Sequence, residues 1–427
     1  MSGIWEERLP VSFFINNRSK LATAMTDKSV CVVFAGQSAV MSADLSYPFF
    51  ANRNFFYLSG IEQEESILVF EKDGTHTQTT IFIWENDQEK EKWTGKRLTA
   101  HESKEFTGAN EVQSLAAWAG FSEQLREKYD CFFLETEMNH LWEKNFENFI
   151  LSRSGITATI NPLRPIMIGL REIKEDCEIE FIRKAIHLTR DAMKEFAAFI
   201  APQKAESELL AFFNYTMEKR GCFVQAFPPI VGADKHSLCL HHTVPSGRLE
   251  DTGILQLDVG GRIGGICADI SRVFPANGEF TKRQKMLYAA VRACQESVFS
   301  KIRPGITIPA LNEAAKETAA IYLAEYGIIP KGEKDVSDYY WHNVSHHMGH
   351  DVHDLSNREK PIQPGMVITV EPGLYIQEWG FGMRLEDDVL VKETRCENLS
   401  SFFEREVDQI SSWVCKFSCE KGVSNTN

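Results

Sequence analysis

Gly253-Ile254-Leu255-Gln256-Leu257-Asp258-Val259-Gly260-Gly261-Arg262-Ile263-Gly264-Gly265-Ile266-Cys267-Ala268-Asp269-Ile270-Ser271-Arg272-Val273-Phe274 sets the architecture that the rest of the chain has to fit. An apolar run from Ile254 to Leu257 ends in Asp258, and a second begins at Ile270, just after Asp269. Between them, Gly260 to Gly265 is dense in turn-forming glycine, so the stretch reads as a β-hairpin. Symmetry about Ile263 and Gly264 sets Asp258 opposite Asp269, with Cβ atoms about 5 Å apart. Like charges so placed destabilise the pairing unless a cation lies between them. The alternative is that both are loop-end acids in water.

Further strand-like runs follow at Met366 to Glu371 and Arg384 to Val391. Helices lie between. Ile179, Ile182, Ile186, Thr189, Met193, Phe196 and Ile200 step by three and four along one largely apolar stripe that ends at Pro202. Two more helices follow Thr281 and Thr307, each threonine an N-cap, the second stopping at Gly327. Irregular alternation of helices and strands, with hairpins, makes the class α+β rather than a wound parallel sheet. Nearer the N-terminus, Ser29 to Phe34, Ser66 to Phe70 and Thr79 to Trp84 read as short strands, with polar helical stretches such as Ser103 to Phe106 between them. Asn161-Pro162 and Arg164-Pro165 then punctuate the chain. A chain of 427 residues exceeds what one core usually spans, so two domains are expected, 1–165 and 166–427.

A net charge of −14 leaves no basic surplus to neutralise phosphates, which excludes nucleic acid as a partner. Met1 to Pro10 carries Glu6, Glu7 and Arg8 and lacks the apolar core of an export signal. The longest uncharged run, Ser29 to Ala43, is too short and too polar to span a bilayer, so no membrane association is expected. Ten scattered cysteines in such a chain are expected to be reduced thiols in the cytoplasm. Cys415 and Cys419 make a weak metal pair, with no second pair to complete it.

Eight of the twelve histidines fall between His236 and His353, in the half where acids interrupt runs that otherwise read as buried strands. An acid there needs a partner. The segment from Trp341 to Asp354 includes His342, His346, His347, His350 and His353. No regular helix or strand presents all five on one face, so a glycine-containing loop entering a site is expected; surface histidines are the plain alternative. Glu371 terminates an apolar strand just before Pro372-Gly373. In Met383-Arg384-Leu385-Glu386-Asp387-Asp388, strand alternation puts Arg384, Glu386 and Asp388 on one face, which a structural ion pair would explain equally. Two Asp, two Glu and one histidine of the cluster form an oxygen-rich set with no thiolate. Such a set favours Mn²⁺, Co²⁺ or Fe²⁺ over a structural zinc. Four carboxylates suit two ions about 3.5–4 Å apart.

The order Asp258, Asp269, His346, Glu371, Glu386, in these local contexts, closely resembles the pita-bread metallopeptidases, and within them the aminopeptidase P group. Phe50-Ala51-Asn52-Arg53-Asn54-Phe55-Phe56-Tyr57-Leu58-Ser59-Gly60 and Phe14-Ile15-Asn16-Asn17-Arg18 resemble that family's non-catalytic domain, and the linker with Arg171, Ile173 and Lys174 is similar too. The resemblance implies an N-terminal mixed α/β creatinase-like domain followed by a C-terminal pita-bread catalytic domain. It implies metal ligation by Asp258, Asp269, His346, Glu371 and Glu386, with Asp269 and Glu386 bridging. Spacing alone leaves His346 and His347 open; the family pattern Ser-His-x-x-Gly selects His346. Ser237-Leu238-Cys239-Leu240-His241-His242-Thr243 matches the segment whose first histidine contacts substrate, His241 here. His342, His353 and Arg384 match positions lining the proline-side pocket. His347 and His350 depart from the pattern, standing where apolar residues are commoner, and Ala201-Pro202-Gln203-Lys204 lacks the usual Pro-Gly turn.

The activity so implied is removal of an N-terminal residue that precedes proline, from peptides with proline in second place, by a homo-oligomer (dimer or tetramer). Two divalent ions are implied, Mn²⁺ first, with Co²⁺, Fe²⁺ or Zn²⁺ also admissible. A hydroxide bridging the ions is the expected nucleophile, and Glu371 carries its proton to the leaving imino nitrogen. His241 and His353 would donate to the carbonyl oxygen and the tetrahedral intermediate. Proline makes a tertiary amide without N–H, so it needs a dedicated pocket. The rival reading is an Xaa-Pro dipeptidase with the same ligands, which would also have to capture a free carboxylate; Arg384 could serve either enzyme. A rival of another class is a non-catalytic binding protein on the same fold, against which four retained acids argue.

Overall fold

The structure, a computed structural model, describes residues 7–137, 141–152 and 158–420, the last six without their side chains. The Cys415–Cys419 pair therefore lies outside the described side chains. Contacts divide the chain into two units, Leu9–Leu170 and Arg171–Asn427, the latter with Met1–Arg8.

In the first unit a six-stranded mixed sheet runs in the order Glu111–Ser114, His76–Ile83, Ile67–Asp73, Ser29–Phe34, Cys131–Leu134, Thr159–Pro162. Ser29–Phe34 is central and buried along its whole length, as suits a Val-rich strand paired on both edges. Phe34, Phe82, Phe132 and Phe146 share one apolar cluster around it. The two N-terminal motifs dock on each other. Asn52 caps the helix Arg53–Ser59 by accepting the Asn54 and Phe55 N–H groups, and Gly60 ends it at φ 75°. Asn17 and Arg18 then donate to the Tyr57 and Leu58 carbonyls at 3.0 and 2.6 Å, two of the acceptors that a helix end leaves unsatisfied. A Cβ on Gly60 would meet the Phe14 ring at 2.5 Å, so the close approach requires glycine.

In the second unit, the helix Asp176–Ala197 opens with a Glu175–Glu178 capping box and buries Ile182, Ile186, Thr189, Met193 and Phe196, the stripe that the spacing predicts. Helices Lys282–Lys301 and Ile308–Glu325 begin at Thr281 and Thr307, whose hydroxyls accept backbone N–H groups. An antiparallel sheet holds Ile254–Val259 between Ile230–Ala233 and Ile270–Pro275. A second holds Asp387–Val391 between Val367–Val370 and Cys396–Asn398, and Gly373–Ile376 pairs with Phe381–Arg384 as a hairpin. Among the described residues no helix is long and apolar enough to cross a membrane.

Two local expectations are corrected. Asp258 pairs with Ser271, not Asp269, and Arg262 pairs with Cys267. The hairpin turns on Gly264 and Gly265, at φ 57° and 82°, because two consecutive left-handed residues match the strand twist there. The register is thus displaced by two residues, which leaves every side chain on its original face. Secondly, Arg384, Glu386 and Asp388 do not share one strand. One strand ends at Arg384 and the next begins at Asp387. In the break, the Glu386 N–H donates to the Ser271 carbonyl at 3.1 Å, tying the crossover to the first sheet.

Candidate active site

A cavity of about 520 Å³ in the second unit is lined by His241, Asp258, Asp269, His342, His346, His353, Glu371, Arg384 and Glu386. Asp258 comes from the central strand of the first sheet, and Asp269 from the step just before Ile270–Pro275. Glu371 follows the last residue of Val367–Val370. The histidine-rich segment, without helix or strand of its own, lies along that strand. The Glu371 N–H donates to the Val344 carbonyl (2.9 Å), Thr369 N–H to His346 (2.9 Å) and Met348 N–H to Val367 (3.1 Å). These bonds set His346 beside Glu371.

His346, not His347, faces the carboxylates. Its Nε2 lies 3.4 Å from Asp269 Oδ2, 3.4 Å from Glu371 Oε1 and 3.9 Å from Glu386 Oε1. Its Nδ1 lies 3.1 Å from the His347 carbonyl, a bond that Nδ1–H must donate. The lone pair is then on Nε2, aimed at the acids, which is the tautomer a metal-binding histidine uses. Burial first, and then His353, lower the imidazole to about 3, so it is neutral. His347 is buried away from the cavity. Ligand atoms of Asp269, His346 and Glu386 lie within 4.8 Å of one another.

Four carboxylates meet here with two guanidiniums, Arg358 and Arg384, and Arg384 Nη2 is 2.5 Å from Asp258 Oδ2. Burial pushes Asp269 well above the carboxylate range, and Asp258, Asp388 and Glu371 add to it. Glu386 rises for the same reasons, burial first and Asp269 next. Glu371 is pushed up to about 8 by burial, against the pull of Arg384 and with the help of Asp258. Asp258 Oδ1 and Glu386 Oε1 are buried and take no hydrogen bond. Hard oxygen donors with free lone pairs, a neutral imidazole and surplus negative charge all fit a divalent cation.

Arg384, His342 and Tyr375 form a chain along the wall. Arg384 Nη1 donates to the Tyr375 hydroxyl at 3.0 Å, and that hydroxyl is 2.8 Å from His342 Nε2. His342 Nδ1 is 2.9 Å from the Asn343 carbonyl, so Nδ1 carries the proton and Tyr375 donates to Nε2. A Cβ on Gly373 would meet the Tyr375 oxygen at 2.5 Å and His342 Nε2 at 2.7 Å, so only glycine leaves room for the contact. Tyr375 carries no role in the sequence reading; it lies on the strand Gly373–Ile376, four residues after Glu371, and its link to Arg384 runs between strands that the sequence reading does not pair. The His353 and His346 rings meet edge to face at 4.3 Å, and His241 stands exposed at the cavity. Asp388 does not line the cavity. It sits behind, with Oδ2 accepting the Asp269 N–H at 3.1 Å.

Comparison with known proteins meets this geometry. The model of metallopeptidase family M24 matches residues 180–393, half of the chain, and that of the aminopeptidase P N-terminal domain matches residues 14–132. A solved structure assigned as an aminopeptidase P from Bacillus anthracis superposes with a TM-score of 0.91 at 34% identity, over 95% of this chain and 98% of that one. The chain belongs to the aminopeptidase P group of the M24, or pita-bread, metallopeptidases. Among curated M24 relatives, the Xaa-Pro aminopeptidase of Escherichia coli is 29% identical over 93% of this chain and 96% of its own length. The Saccharomyces cerevisiae protein named intermediate cleaving peptidase 55 is also 29% identical, over 93% and 83%. A zinc-substituted E. coli aminopeptidase P solved with product gives a TM-score of 0.89 at 28% identity, over 95% of this chain and 98% of that one.

Proposed function

We propose that this chain is an Xaa-Pro aminopeptidase, a metal-dependent hydrolase of the bond between an N-terminal residue and a following proline. The observation that carries the reading is the convergence of Asp258, Asp269, Glu371 and Glu386 around the Nε2 lone pair of His346 in one cavity. These five residues would hold two divalent ions, with Asp269 and Glu386 bridging. Mn²⁺ is the ion that the hard donor set favours. Such ions supply an ionised water near neutral pH and a Lewis acid for the scissile carbonyl. The rest falls to the chain. Glu371 takes the proton of the attacking water and delivers it to the proline nitrogen. His241 and His353 donate hydrogen bonds where negative charge develops on the carbonyl oxygen. The Arg384–Tyr375–His342 chain fixes the wall that receives the proline side of the substrate.

The portion 1–165 contributes none of these residues, and we assign it to substrate-length selection and assembly as a homo-oligomer. Exposed Val40, Met41, Leu45 and Tyr47 in that portion support a role in contacts. Among the described residues, Cys31, Cys131, Cys177, Cys222, Cys239, Cys294 and Cys396 are thiols, which supports a reducing, cytoplasmic setting.

The test is incubation of purified protein with Gly-Pro-Pro, Gly-Pro and an Ala-Ala peptide, with and without Mn²⁺. Release of glycine from Gly-Pro-Pro on Mn²⁺ addition, with Ala-Ala untouched, is the expected result. Cleavage of Gly-Pro alone would make the enzyme a dipeptidase, and equal cleavage of Ala-Ala would remove proline from the account.

A further inference from the structure

The His241–His242 doublet divides its labour across the backbone. His241 faces the cavity, whereas His242 Nε2 lies 3.0 Å from Oε2 of Glu206, a side chain buried in the second unit. Residues 239–246 form no helix or strand, and His241 is exposed, so its place depends on how the segment is tied down. Glu206 ties it at both ends. Oε1 accepts the Ala233 N–H (2.8 Å) and His236 Nδ1 (2.9 Å), where the segment departs. Oε2 accepts His242 and the Gly247 N–H (2.6 Å), where it returns. The Glu206 N–H donates in turn to the Gly247 carbonyl at 3.0 Å. Burial alone would push this carboxyl up, but the donors from Ala233, His242, Gly247 and His236 hold it below its usual range, so it stays ionised.

Ligand atoms of Glu206, His236 and His242 lie within 4.8 Å of one another, close enough to raise the question of a further metal. The hydrogen bonding answers it: each oxygen already takes two donors, which fills the lone pairs a cation would need. The cluster is an anchor. His241 and His242 are joined by a single peptide bond, so fixing the His242 ring on Glu206 restricts where His241 can stand at the cavity.

We propose that Glu206 and His242 are positioning residues that hold His241 in its hydrogen-bonding place over the scissile carbonyl. The inference rests on the role given to His241 above. Its test is a double-mutant cycle on Gly-Pro-Pro hydrolysis in the Mn²⁺-loaded full chain, with His241→Ala, His242→Ala and the pair. His242→Ala alone is expected to lower kcat/KM by about 10- to 100-fold, the loss that a misplacement near 1 Å brings. In the His241→Ala background the same change should cost less than about twofold, since there is no longer a ring to misplace. His242→Gln, which restores an N–H donor to Glu206, should recover most of the loss, and bound Mn²⁺ should stay at the wild-type count throughout. Equal losses in both backgrounds, or none in either, overturn the positioning role. So does an additional bound ion that disappears with His242→Ala, which would make the cluster a metal site. Full activity in His241→Ala would instead remove the role of His241 itself, a failure of the proposed mechanism that this arm reads separately. Glu206→Gln, compared with wild type by circular dichroism before assay, provides the second variant and should lose activity in the same background-dependent way.

Discussion

Two sets of buried acids in the second unit are neutralised in opposite ways. Asp354 lies between Arg171 and Lys174, with Lys174 Nζ at 2.8 Å from its Oδ2, and Asp387 Oδ1 takes Arg272 Nη2 at 2.7 Å. Burial pushes the Asp354 carboxyl up, but the charges of Arg171 and Lys174 outweigh it and hold it far below the ordinary range. In the cavity, Asp258, Asp269, Glu371 and Glu386 outnumber the two guanidiniums, Arg384 and Arg358, and three of the four are pushed upward. Asp354 and Asp387 are neutralised by cations of the chain itself. It leaves the cavity acids for a cation from solution.

The largest expected effect tests the cavity side of that contrast. Glu371→Gln keeps an oxygen for the ion but removes the proton carrier, and kcat on Gly-Pro-Pro should fall by roughly 10²–10⁴. Elemental analysis of the same variant should still find bound metal. A kcat close to wild type would take the proton from Glu371. Next comes the structural side. Asp354→Asn leaves Arg171 and Lys174 buried without their counter-charge, which should cost about 3–5 kcal/mol at neutral pH in urea unfolding. The sign follows from the depressed folded value. The contribution is complete above the unfolded value near 4 and fades as pH falls through the folded one, so wild type and variant should converge in acid. A constant gap at all pH values would mean that Asp354 acts by packing and not by charge.

These acids also mark what could be read without coordinates. Asp258 and Glu371 stood out because each ends an apolar run, Asp269 because it precedes one, Glu386 by its alternation with Arg384 and Asp388, and the histidine segment by density; all are local signals. The three capped helices were legible for the same reason, since Thr281, Thr307 and the stripe from Ile179 lie within a few residues of what they determine. The hairpin register was not, because the glycines of the turn admit more than one centre and only the fold selects Gly264-Gly265. Partnerships between distant residues were hidden altogether. Glu206 with His236 and His242, Arg171 with Asp354, and Tyr375 with Arg384 pair across elements, so no periodicity reports them.

A third, smaller effect sharpens the comparison through pH. Asp269, Glu371 and Glu386 have raised folded values, so in the metal-free chain the folded state holds protons that the unfolded state has lost. Stability of that form should therefore fall as pH rises from about 4 towards 8, the reverse of the Asp354 contribution. Metal loading at pH 7 should release protons, detectable by calorimetry in buffers of different ionisation enthalpy. Uptake with no proton release would deny the raised values. The smallest effect belongs to His347, which lies outside the cavity with its Nδ1 unbonded. His347→Ala should keep the wild-type metal count and kcat/KM, and a loss of metal there would transfer the ligand role from His346.

The central claim is that one cavity holds two ions through shared carboxylates, and metal stoichiometry tests it most directly. Elemental analysis would be run on wild type and Glu386→Ala after Mn²⁺ loading and dialysis against metal-free buffer. The account predicts two ions per wild-type chain and a joint loss of metal and Gly-Pro-Pro turnover in the variant. Two full equivalents retained by Glu386→Ala, or a wild-type chain that turns over undiminished after complete chelation, would contradict it.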